Sequence, residues 1–515
     1  MKVYSGESIK RIEKACFESG ITELRLMENA GVACAKVIRK QYDLETNKGK
    51  KIAVLCGKGK NGGDGFVIAR KLCEIGAVPA IILTHGYPTI AEPVKMLERA
   101  KELEIPVVEY DVSRQEALRL LQNADIIVDC IFGIGYHGAA DSKSAELFRA
   151  VNASRAVTVS VDVPSGLDSE GVDFDPSHIK ADLTVSITAL KPVHIAERTA
   201  ADCGKTVVVD ISIEPRFFEG EPVFAAVTDE KNVAGFLPPR SADANKGTFG
   251  HLLMLCGSYR MPGAAVMSAG AAVRSGVGKI TLAFPQSAYP AITSKLNEPL
   301  FLPLAADENG FFAPEARGAI ITHLKQMSAV LVGCGIGKTI GALAVLETVM
   351  KHYKGTVLVD ADGINLLAEN IYLLEERKQT TVLTPHLGEF SRLIDKPIED
   401  IQRNRMKYAK QFTALYPHTV LVLKGYHTII AQNGEILFIN PTGNAGLAQA
   451  GTGDVLAGLI GGFIAQGVSP YGSAVVGAYI HGDAGDICAA ALSQRGMRTT
   501  DLMEYLPFSL KKFEG

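Results

Sequence analysis

Residues 444–454 read Asn444-Ala-Gly-Leu-Ala-Gln-Ala-Gly451-Thr-Gly453-Asp454 and lead into the apolar segment Val455–Ile464. The apolar segment is typical of a buried helix, and the glycines before it let successive backbone N–H groups point at one spot. Such a helix N-terminus favours a bound anion. Asp454 would lie beside a bound phosphate, where a carboxylate is unfavourable unless it has a task, such as removing a proton from an attacking hydroxyl. The alternative is a simple helix cap, but the preceding glycines favour the functional interpretation.

Working outward from this segment, short β-branched runs alternate with longer helical patterns, which is typical of a parallel sheet covered on both faces. The first half has two helical segments within residues 11–40, split near Gly20, and then predicted strands at Lys51–Cys56, Ala80–Thr84, Asp125–Ile131, Val157–Val161, Leu183–Thr188 and Thr206–Ile211. The second half has predicted strands at His251–Cys256, Lys279–Phe284, Ala329–Val332, Thr356–Val359, Thr381–Leu383 and Val420–Leu423. A polar, proline-containing stretch between them places the boundary near residue 220. The sequence thus predicts two fused α/β domains, residues 1–220 and 221–515.

Composition and charge exclude several classes of protein. The 515 residues carry 53 Lys and Arg against 56 Asp and Glu, which leaves no basic field for a nucleic-acid backbone. Nine cysteines stand singly without a CxxC pair, as expected for reduced thiols. Residues 1–20 lack an apolar signal core, and the most apolar stretch, Asp454–Gly467, is too short to cross a bilayer. We expect a cytoplasmic homo-oligomer with small-molecule partners, no nucleic acid and no membrane.

A glycine-rich loop follows the first predicted strand. Gly57-Lys-Gly59-Lys-Asn-Gly62 matches GxGxxG, the fingerprint of dinucleotide-binding dehydrogenases. That fingerprint also needs a carboxylate at the end of the next strand to hold the ribose, and here the strand ends Ile82-Leu83-Thr84-His85. The absence of a carboxylate there argues against a hydride-transferring dehydrogenase.

Three oxygen-bearing side chains follow strands of the first half. They are Asn61 in Asn61-Gly-Gly-Asp64-Gly65, Asp129 ahead of the loop Gly133-Ile-Gly135, and Ser165 in Asp162-Val-Pro-Ser165-Gly166. Parallel strands bring these ends to one edge of the sheet, where ligands bind. Their hard oxygen atoms suit a cation of groups I or II. Each alone is more simply a turn or cap residue, but the convergence of three favours a cation site.

Several motifs of the second half also follow predicted strands. Gly333-Cys-Gly335-Ile-Gly337-Lys338-Thr339 resembles a Walker A loop, but Val332 occupies the first required glycine position, so we reject a P-loop. Thr384-Pro-His386-Leu-Gly-Glu389 places His386 and Glu389 near the site, although His386 is equally compatible with a structural role. Lys424–Thr428 is placed to contact a nucleotide. His481-Gly-Asp483-Ala-Gly-Asp486 lacks the spacing of a zinc helix, so we interpret it as structural.

These motifs carry a resemblance to known families. Through Asn61–Gly65, Asp129 with the Gly133 loop, and Asp162–Gly166, the first half resembles NAD(P)H-hydrate epimerase. Through Pro262-Gly263-Ala264, Gly333–Gly337, Thr384–Glu389, Lys424–Thr428 and Asn444–Asp454, the second half resembles the ribokinase-like, ADP-dependent NAD(P)H-hydrate dehydratase. The fused pair is similar to the bifunctional NAD(P)H-hydrate repair family over nearly the whole chain. The resemblance implies two three-layer domains, Rossmann-like and then ribokinase-like.

The resemblance also implies an activity. Members of this family rescue NADH and NADPH that have gained water across the nicotinamide C5–C6 bond. The first domain interconverts the two C6 epimers of the hydrate, and the second dehydrates the S form with ADP and Mg²⁺, releasing AMP and phosphate. The resemblance further implies K⁺ in the first domain.

By resemblance, the site residues fall into three sets. The hydrate of the epimerase domain would lie along Lys60, Asn61, Gly62, Gly63, Asp64, Gly133, Ile134, Gly135, Tyr136, His137, Gly138, Ala139 and Asp162, with K⁺ at Asn61, Asp129 and Ser165. The hydrate of the dehydratase domain would lie near Gly263, Gly335 or Gly337, His386 and Asp454. The nucleotide would lie along Lys424, Gly425, Tyr426, His427 and Thr428, and along Asn444, Ala445, Gly446, Leu447, Ala448, Gln449, Ala450, Gly451, Thr452 and Gly453. Cys334 departs from the family pattern, which often has proline there.

The chemistry of the residues agrees with this implied activity. Because hydroxide leaves poorly, converting the hydroxyl to a phosphate eases loss of water, and a kinase-like site supplies that step with Asp454 as the base. Asp162 is the nearest candidate acid or base for epimerisation. The main alternative is a small-molecule kinase of the ribokinase-like class with an accessory nucleotide-binding domain, which would leave a stable phosphate ester. A non-enzymatic, nucleotide-sensing first half is the other alternative.

Overall fold

The computed structural model describes residues 1–172 and 176–514. The chain divides into two compact units, Met1–Ala225 (unit 1) and Ala226–Gly515 (unit 2). This division falls a few residues beyond the boundary predicted near residue 220.

Unit 1 contains a seven-stranded, all-parallel sheet with helices on both faces. A short strand, β1 (Lys2–Val3), comes first, and the sheet strands are β2 (Lys51–Cys56), β3 (Val78–Leu83), β4 (Val107–Glu109), β5 (Ile126–Cys130), β6 (Val157–Val161), β7 (Leu183–Ile187) and β8 (Lys205–Val209), in the order β4-β3-β2-β5-β6-β7-β8. The helices are α1 (Gly6–Glu18), α2 (Glu23–Gln41), α3 (Lys60–Glu74), α4 (Ala91–Lys101), α5 (Arg114–Gln122) and α6 (Ser142–Asn152), with 3₁₀ turns at Pro192–His194 and Pro215–Phe218.

The central strand β2 shows why this sheet is covered on both sides. Ile52 and Val54 point to a core shared with Phe66 of α3. Leu55, on the opposite face, joins a second core with Phe148 of α6. Because alternate strand residues point to opposite faces, an apolar run buried on both sides gives the three-layer arrangement.

Unit 2 has a larger mixed sheet. Its strands are β9 (Ala225–Val227), β10 (His251–Leu255), β11 (Lys279–Pro285), β12 (Leu300–Leu304), β13 (Ala329–Val332), β14 (Thr356–Val359), β15 (Thr381–Leu383), β16 (Thr419–Leu423), β17 (Ile429–Gln432) and β18 (Phe438–Ile439), in the order β9-β18-β17-β16-β15-β14-β13-β10-β11-β12. The seven neighbouring strands β16, β15, β14, β13, β10, β11 and β12 are all parallel. In contrast, β17 pairs antiparallel with both β16 and β18. The six strands predicted for this half all run parallel. β17, which was not predicted, reverses because its connection from β16 is a short hairpin, whereas a parallel pair needs a long crossover.

Helices cover both faces of the sheet in unit 2. They are α7 (Glu230–Phe236), α8 (Pro262–Arg274), α9 (Tyr289–Thr293), α10 (Arg317–Leu324), α11 (Ile340–His352), α12 (Asp362–Glu369), α13 (Tyr372–Glu376), α14 (Leu387–Ile394), α15 (Ile398–Arg403), α16 (Arg405–Leu415), α17 (Thr452–Ala465), α18 (Pro470–Leu492) and α19 (Thr499–Leu510), with 3₁₀ turns at Gln286–Ala288, Pro314–Ala316, Ala445–Leu447 and Lys511–Phe513. Two of these helices, α8 and α17, pack unusually closely, since a Cβ at Gly458 would lie 1.9 Å from the backbone oxygen of Ser268. This contact fixes the N-terminus of α17, which carries Asp454.

The cysteines and the most apolar helices can be located in the described part of the chain. Within residues 1–172 and 176–514, all nine cysteines are free thiols, and eight of them are buried. Among the same residues, no helix combines the length and apolar character needed to span a membrane.

Candidate functional sites

Unit 1 contains a cavity of about 690 Å³ at the carboxyl edge of its sheet. The segments after β2, β5, β6 and β7 form one side, and residues of α1 and α2 such as Phe17 and Met27 form the other. The predicted residues Lys60, Asn61, Asp64, Gly133, Ile134, Gly135, Tyr136, His137 and Asp162 all line this cavity. Of the other predicted hydrate contacts, the structure does not bring Gly62, Gly63, Gly138 or Ala139 to the cavity wall. The sequence motifs therefore converge on one cavity.

The glycine loop after β2 shapes this cavity through close backbone contacts. A Cβ at Gly57 would lie 2.1 Å from the backbone oxygen of Ile131, and one at Gly62 would lie 1.9 Å from that of Gly57. Gly59 is the N-cap of α3, so the first helical residues, Lys60 and Asn61, face the cavity. These glycines serve close packing at a turn that faces the cavity.

Asp162 is held in the cavity by a buried ion pair. Its Oδ1 atom accepts a hydrogen bond from the Nζ atom of Lys191, a side chain that is 0% exposed. Its Oδ2 atom accepts from the backbone N–H of Ile134 at 3.3 Å. Asp162 therefore has a charged partner on one oxygen and a backbone donor on the other.

The backbone of Asp162 is also constrained. Its φ of 70° lies in the left-handed region, which a non-glycine residue rarely adopts without support. The support comes from His194, whose Nε2 atom lies 2.9 Å from the backbone oxygen of Asp162, while its Nδ1 atom accepts from the backbone N–H of Lys191 at 3.0 Å. Burial lowers the pKa of His194 to about 3, so the ring is neutral and donates through Nε2. His194 therefore fixes both members of the ion pair.

Two further carboxyl groups line the same cavity. Burial raises the pKa of Asp64 well above its usual range, and the neighbouring charges of Asp162 and Glu13 raise it further. Burial raises the pKa of Glu13 as well, with Asp162 adding to the effect. The cavity thus contains an aspartate paired with a lysine and two carboxyl groups that retain their protons more readily.

The three predicted cation ligands lie around the backbone of Phe132. Asn61 donates through Nδ2 to the Phe132 oxygen at 2.7 Å, and the Phe132 N–H donates to the Ser165 Oγ atom at 2.9 Å. Ser165 in turn donates to Asp129 at 2.6 Å, and Asp129 also accepts from Ser160 Oγ at 2.8 Å. Among the residues that the structure describes, the buried Oδ1 atom of Asn61 has no hydrogen-bond partner. This unsatisfied oxygen is the feature that a cation would satisfy.

In unit 2, the predicted anion-binding segment opens α17. Gly451 is the N-cap with a φ of 91°, where a side chain would be strained, and a Cβ there would lie 2.4 Å from the Met267 Sδ atom. Asp454 is in the first turn of the helix rather than at the N-cap. Burial raises the pKa of Asp454 to about 7, with the charge of Asp360 adding to the rise. The simple cap alternative therefore does not describe Asp454.

A network of charged side chains surrounds Asp454. The sulfur of Cys334 and carboxylate oxygens of Asp360 and Asp454 all lie within 4.8 Å of one another. Lys424 Nζ is 3.0 Å from Asp360 Oδ1, and a Cβ at Gly453 would lie only 3.2 Å from the same Nζ atom. One lysine therefore approaches both a buried carboxylate and the helix N-terminus, which is a suitable place for a phosphate.

His386 and Glu389 lie next to this network. They form a reciprocal cap on α14, in which the backbone N–H of His386 donates to Glu389 at 2.8 Å and His386 Nδ1 accepts from the backbone N–H of Gly388 at 3.0 Å. Lys424 lies 3.9 Å from Glu389, and burial raises the pKa of that carboxyl to about 7. His386 thus has a capping role, while its exposed ring is available to a ligand.

The other predicted segments of unit 2 occupy different positions around the site. Gly335 and Gly337 have φ values of 66° and 77°, and the Gly337 N–H donates to Asp362 at 2.8 Å. Gly263 is near the N-terminus of α8, where a Cβ would meet only the end of Met267 at 3.9 Å. Residues 424–428 form the hairpin between β16 and β17, so Lys424 and Thr428 flank that turn.

The segment before α17 is fixed by polar contacts. Asp486 accepts hydrogen bonds from the side chain of Asn444 and the backbone N–H of Gly443, each at 2.9 Å. Gln449 donates to the Met497 oxygen at 2.7 Å. His481 lies 2.9 Å from the Thr452 oxygen, and burial lowers its pKa to about 4. These contacts agree with the structural role predicted for the motif that contains His481 and Asp486.

Sequence reasoning missed Lys191, Glu13 and Asp360. Asp360 directly follows β14, so the rule that ligands lie at the carboxyl ends of parallel strands could have found it. Lys191 shortly follows β7 and was accessible to the same rule. Glu13 lies on α1, and nothing in the local pattern indicates that this helix borders the cavity.

Comparisons with known proteins agree with this geometry. A family model described as NAD(P)H-hydrate dehydratase matches residues 252–508, and one described as YjeF-related protein N-terminus matches residues 23–193. The bifunctional NAD(P)H-hydrate repair enzyme of Moorella thermoacetica is 33% identical over 508 residues, covering 97% of this chain and 94% of the relative. That of Coxiella burnetii is 32% identical over 505 residues, covering 98% of each chain.

A solved structure covers the second unit. The ADP/ATP-dependent NAD(P)H-hydrate dehydratase from Bacillus subtilis, co-crystallised with ATP/Mg²⁺, is 32% identical with a TM-score of 0.50, and the match covers 56% of this chain and 99% of that one. The predicted fold class, two fused three-layer α/β units, is confirmed, and the second unit is similar to this dehydratase structure. Since two relatives match along almost their whole length and both family models are present in order, the chain belongs to the family of bifunctional NAD(P)H-hydrate repair enzymes.

Proposed function

We propose that the two units divide the repair of hydrated NADH and NADPH between them. Unit 1, at residues 1–225, interconverts the R and S hydrates in its cavity. Unit 2, at residues 226–515, dehydrates the S hydrate at the N-terminus of α17. The observation that carries this proposal is Asp454, a carboxyl group with a pKa of about 7 beside a glycine-lined helix N-terminus and a lysine.

The geometry of unit 2 supports a phosphoryl transfer followed by an elimination. Asp454 accepts the proton of the hydrate hydroxyl while the oxygen of that hydroxyl attacks the terminal phosphorus of ADP. AMP is the leaving group. The N–H groups of residues 451–453 and the ammonium of Lys424 bind the transferred phosphoryl group. The phosphate then leaves C6 with its electron pair, pushed by the ring nitrogen, and loss of the C5 proton gives the dihydropyridine.

Mg²⁺ fits this site as a partner of the nucleotide. The oxygens of Asp360 and Asp454 are hard ligands, whereas the Cys334 thiol in the same group is not. Protein sites commonly hold Mg²⁺ through one or two carboxylates plus substrate phosphates. Asp360 would hold it while Asp454 acts as the base, and the ion would neutralise charge on the phosphates.

K⁺ fits the group of Asn61, Asp129 and Ser165. The unpartnered Oδ1 atom of Asn61 and the Ser165 oxygen supply neutral ligands, and the buried Asp129 supplies one negative charge. Burial raises the pKa of Asp129, and its hydrogen bonds from Ser165 oppose that rise. One charge with flexible neutral oxygens suits a large monovalent ion better than Mg²⁺, which demands compact octahedral geometry. The cation would hold the loop that carries Phe132 against the cavity.

The proposed enzyme is a cytoplasmic homo-oligomer. The nine free cysteines fit a reducing compartment, so we place the enzyme in the cytoplasm. Its partners are the two hydrates and a nucleotide, and it forms a homo-oligomer, which light scattering on the purified protein would test.

The test uses the full-length protein and a mixture of R and S hydrates. With ADP and Mg²⁺, absorbance of the reduced nicotinamide should recover completely, and AMP and phosphate should form in step with it. Without nucleotide, the epimer ratio should move to equilibrium with no recovery. Accumulation of a stable phosphate ester would instead identify a small-molecule kinase.

A further inference from the structure

We propose that Asp64 is the general acid of epimerisation in unit 1, acting on the C6 hydroxyl together with Asp162, which is paired with Lys191. This inference rests on the proposed epimerase activity of unit 1. It concerns two carboxyl groups that line one cavity and differ sharply in their partners.

The two carboxyl groups have opposite surroundings. Asp162 is paired with the fully buried ammonium of Lys191 and accepts a backbone hydrogen bond. The Asp64 side chain is 8% exposed, and no hydrogen bond or ion pair joins this side chain to another residue of the described chain. A buried carboxyl group without a partner is costly when ionised, so it remains protonated or serves a ligand. Asp64 therefore offers a proton to the cavity, whereas Asp162 offers a negative charge.

The position of Asp64 is fixed by the close packing of α3. A Cβ at Gly63 would lie 2.5 Å from the Met27 Sδ atom, and one at Gly65 would lie 2.7 Å from the Cys56 Sγ atom. The glycines on both sides of Asp64 thus bring its helix against α2 and the sheet. A short aspartate side chain on so closely packed a helix has little freedom to swing away from the cavity.

The charged groups that face Asp64 keep its proton in place. Glu13 on α1 and Asp162 after β6 add to the effect of burial in raising its pKa. Lys60, on the same helix, opposes the rise, but its Nζ atom pairs with Glu23 at 3.1 Å. The thiols of Cys34, Cys56 and Cys130 also lie near Asp64, and burial raises their pKa values well above their usual range, so they are uncharged. The other titratable groups that line the cavity are Lys10, Glu23, Lys58, His85, Tyr136, His137 and Lys191. Two carboxyl groups with such different environments are the arrangement that general acid–base catalysis needs.

The chemistry can be written with both groups in place. The lone pair of the ring nitrogen forms an N1=C6 double bond as the C6–O bond breaks, and Asp64 gives its proton to the departing oxygen, so that water leaves. Water then adds to the other face of C6, the N1=C6 electron pair returns to nitrogen, and Asp162 takes the proton that the water loses. Asp162 passes this proton back to Asp64 through water in the cavity. The net change is inversion at C6 with exchange of its oxygen.

The experiment follows both results of this step in the full-length enzyme. The R hydrate is incubated in H₂¹⁸O without nucleotide, the epimer ratio is measured by chromatography, and label at C6 is measured by mass spectrometry. In the wild type, inversion and label incorporation should proceed together, with a rate that falls at high pH as Asp64 loses its proton. Asp64→Asn should lower kcat for both by about 10²–10⁴-fold, the usual range for a general acid, with little change in KM. Asp64→Glu should restore part of the loss, and the loss at high pH should be absent in Asp64→Asn.

Controls separate the possible failures. Asp43→Asn, at an exposed residue whose φ of 50° suits asparagine, should leave epimerisation unchanged. Dehydration of the S hydrate with ADP should be unchanged in Asp64→Asn, because that step belongs to unit 2. If the wild type inverts the hydrate but Asp64→Asn does so within threefold of the same rate, the role of Asp64 is refuted and the proposed function stands. Inversion by the wild type without label at C6 also refutes this step, and a wild type that does not epimerise at all refutes the proposed function itself.

Discussion

Replacing Asp454 with Asn removes one carboxylate from the first turn of α17 and keeps the shape of the side chain. If Asp454 accepts the hydroxyl proton, ADP-driven recovery of reduced cofactor should fall by about two orders of magnitude or more, the usual contribution of a general base. At about 1.4 kcal/mol per tenfold change, this loss corresponds to roughly 3 kcal/mol of transition-state stabilisation. Epimerisation should continue at its normal rate because unit 1 is unchanged.

The same substitution should not destabilise the fold. Because the pKa of Asp454 is raised from 3.8 to about 7, the stability associated with its protonation is present below pH 3.8 and lost as the pH rises through about 7. At about 1.4 kcal/mol per pH unit, the buried charge costs at most on the order of 4 kcal/mol at pH 8. Asparagine removes this cost, so the variant should unfold at an equal or higher temperature at pH 8. The difference should narrow as the pH is lowered toward 4.

Asp501 provides a matched control for this prediction. It occupies the corresponding position in the first turn of α19, where Arg498 pairs with it at 2.8 Å and hydrogen bonds from Arg498 lower its pKa. Asp501→Asn should therefore lower the unfolding temperature slightly, because Asp501 loses its ion pair with Arg498, and leave recovery unchanged. Both variants are assayed for absorbance recovery and thermal unfolding at pH 5 and pH 8. Near-normal recovery in Asp454→Asn would show that Asp454 is not the base, and a loss of stability like that of Asp501→Asn would show that the charge of Asp454 stabilises the fold.

Three further predictions test the remaining assignments. In the wild type, kcat/KM for dehydration should rise with pH through about 7, because only ionised Asp454 accepts a proton, and a profile that is flat there would exclude it as the base. Asp129→Ala should weaken K⁺ binding and slow epimerisation while dehydration of the S hydrate continues; K⁺-independent epimerisation in the wild type would contradict the cation site. Residues 1–225 and 226–515, expressed separately, should each fold on their own sheet. The first should equilibrate the epimers, the second should recover only the S fraction with ADP, and their mixture should recover both. Equal consumption of both epimers by residues 226–515 alone would remove the need for an epimerase.

The strands predicted from sequence are present, each within two residues at either end, because apolar runs buried on both faces of a parallel sheet are continuous and easily found. The strands that were not predicted are short or lie near sheet edges, such as Val107–Glu109 and Phe438–Ile439. Edge strands bury less surface and carry a weaker pattern. The hairpin that reverses β17 was also missed, although its turn was correctly placed after a strand.

The candidate sites were predictable only in part, for a different physical reason. Glycine and polar residues mark the loops that follow strands and the segment that precedes α17. Asp162 and Asp454 could therefore be found from local sequence. Glu13 could not be found in this way, since it lies on a helix and borders the cavity only through the packing of the fold. Lys191 follows a strand, but its pairing with Asp162 is visible only in the structure. The character of Asp64 was equally hidden, because an unpartnered carboxyl group is recognised only when its neighbours are known.

The two units use a similar electrostatic arrangement on different folds. In unit 1, Lys191 pairs with Asp162, and the side chain of Asp64 has no partner among the described residues. In unit 2, Lys424 pairs with Asp360, and the pKa of Asp454 is raised. A lysine that neutralises one of two nearby carboxyl groups lets both be buried, because only one charge then needs a partner. The second carboxyl group then keeps its proton to a higher pH than usual, because its pKa is raised. Both proposed reactions need a group that exchanges a proton with the C6 oxygen of the hydrate. In unit 1 this oxygen must gain a proton to leave as water, and in unit 2 it must lose one to attack phosphorus. The shared arrangement therefore follows from the chemistry of the hydrate and does not require a shared fold.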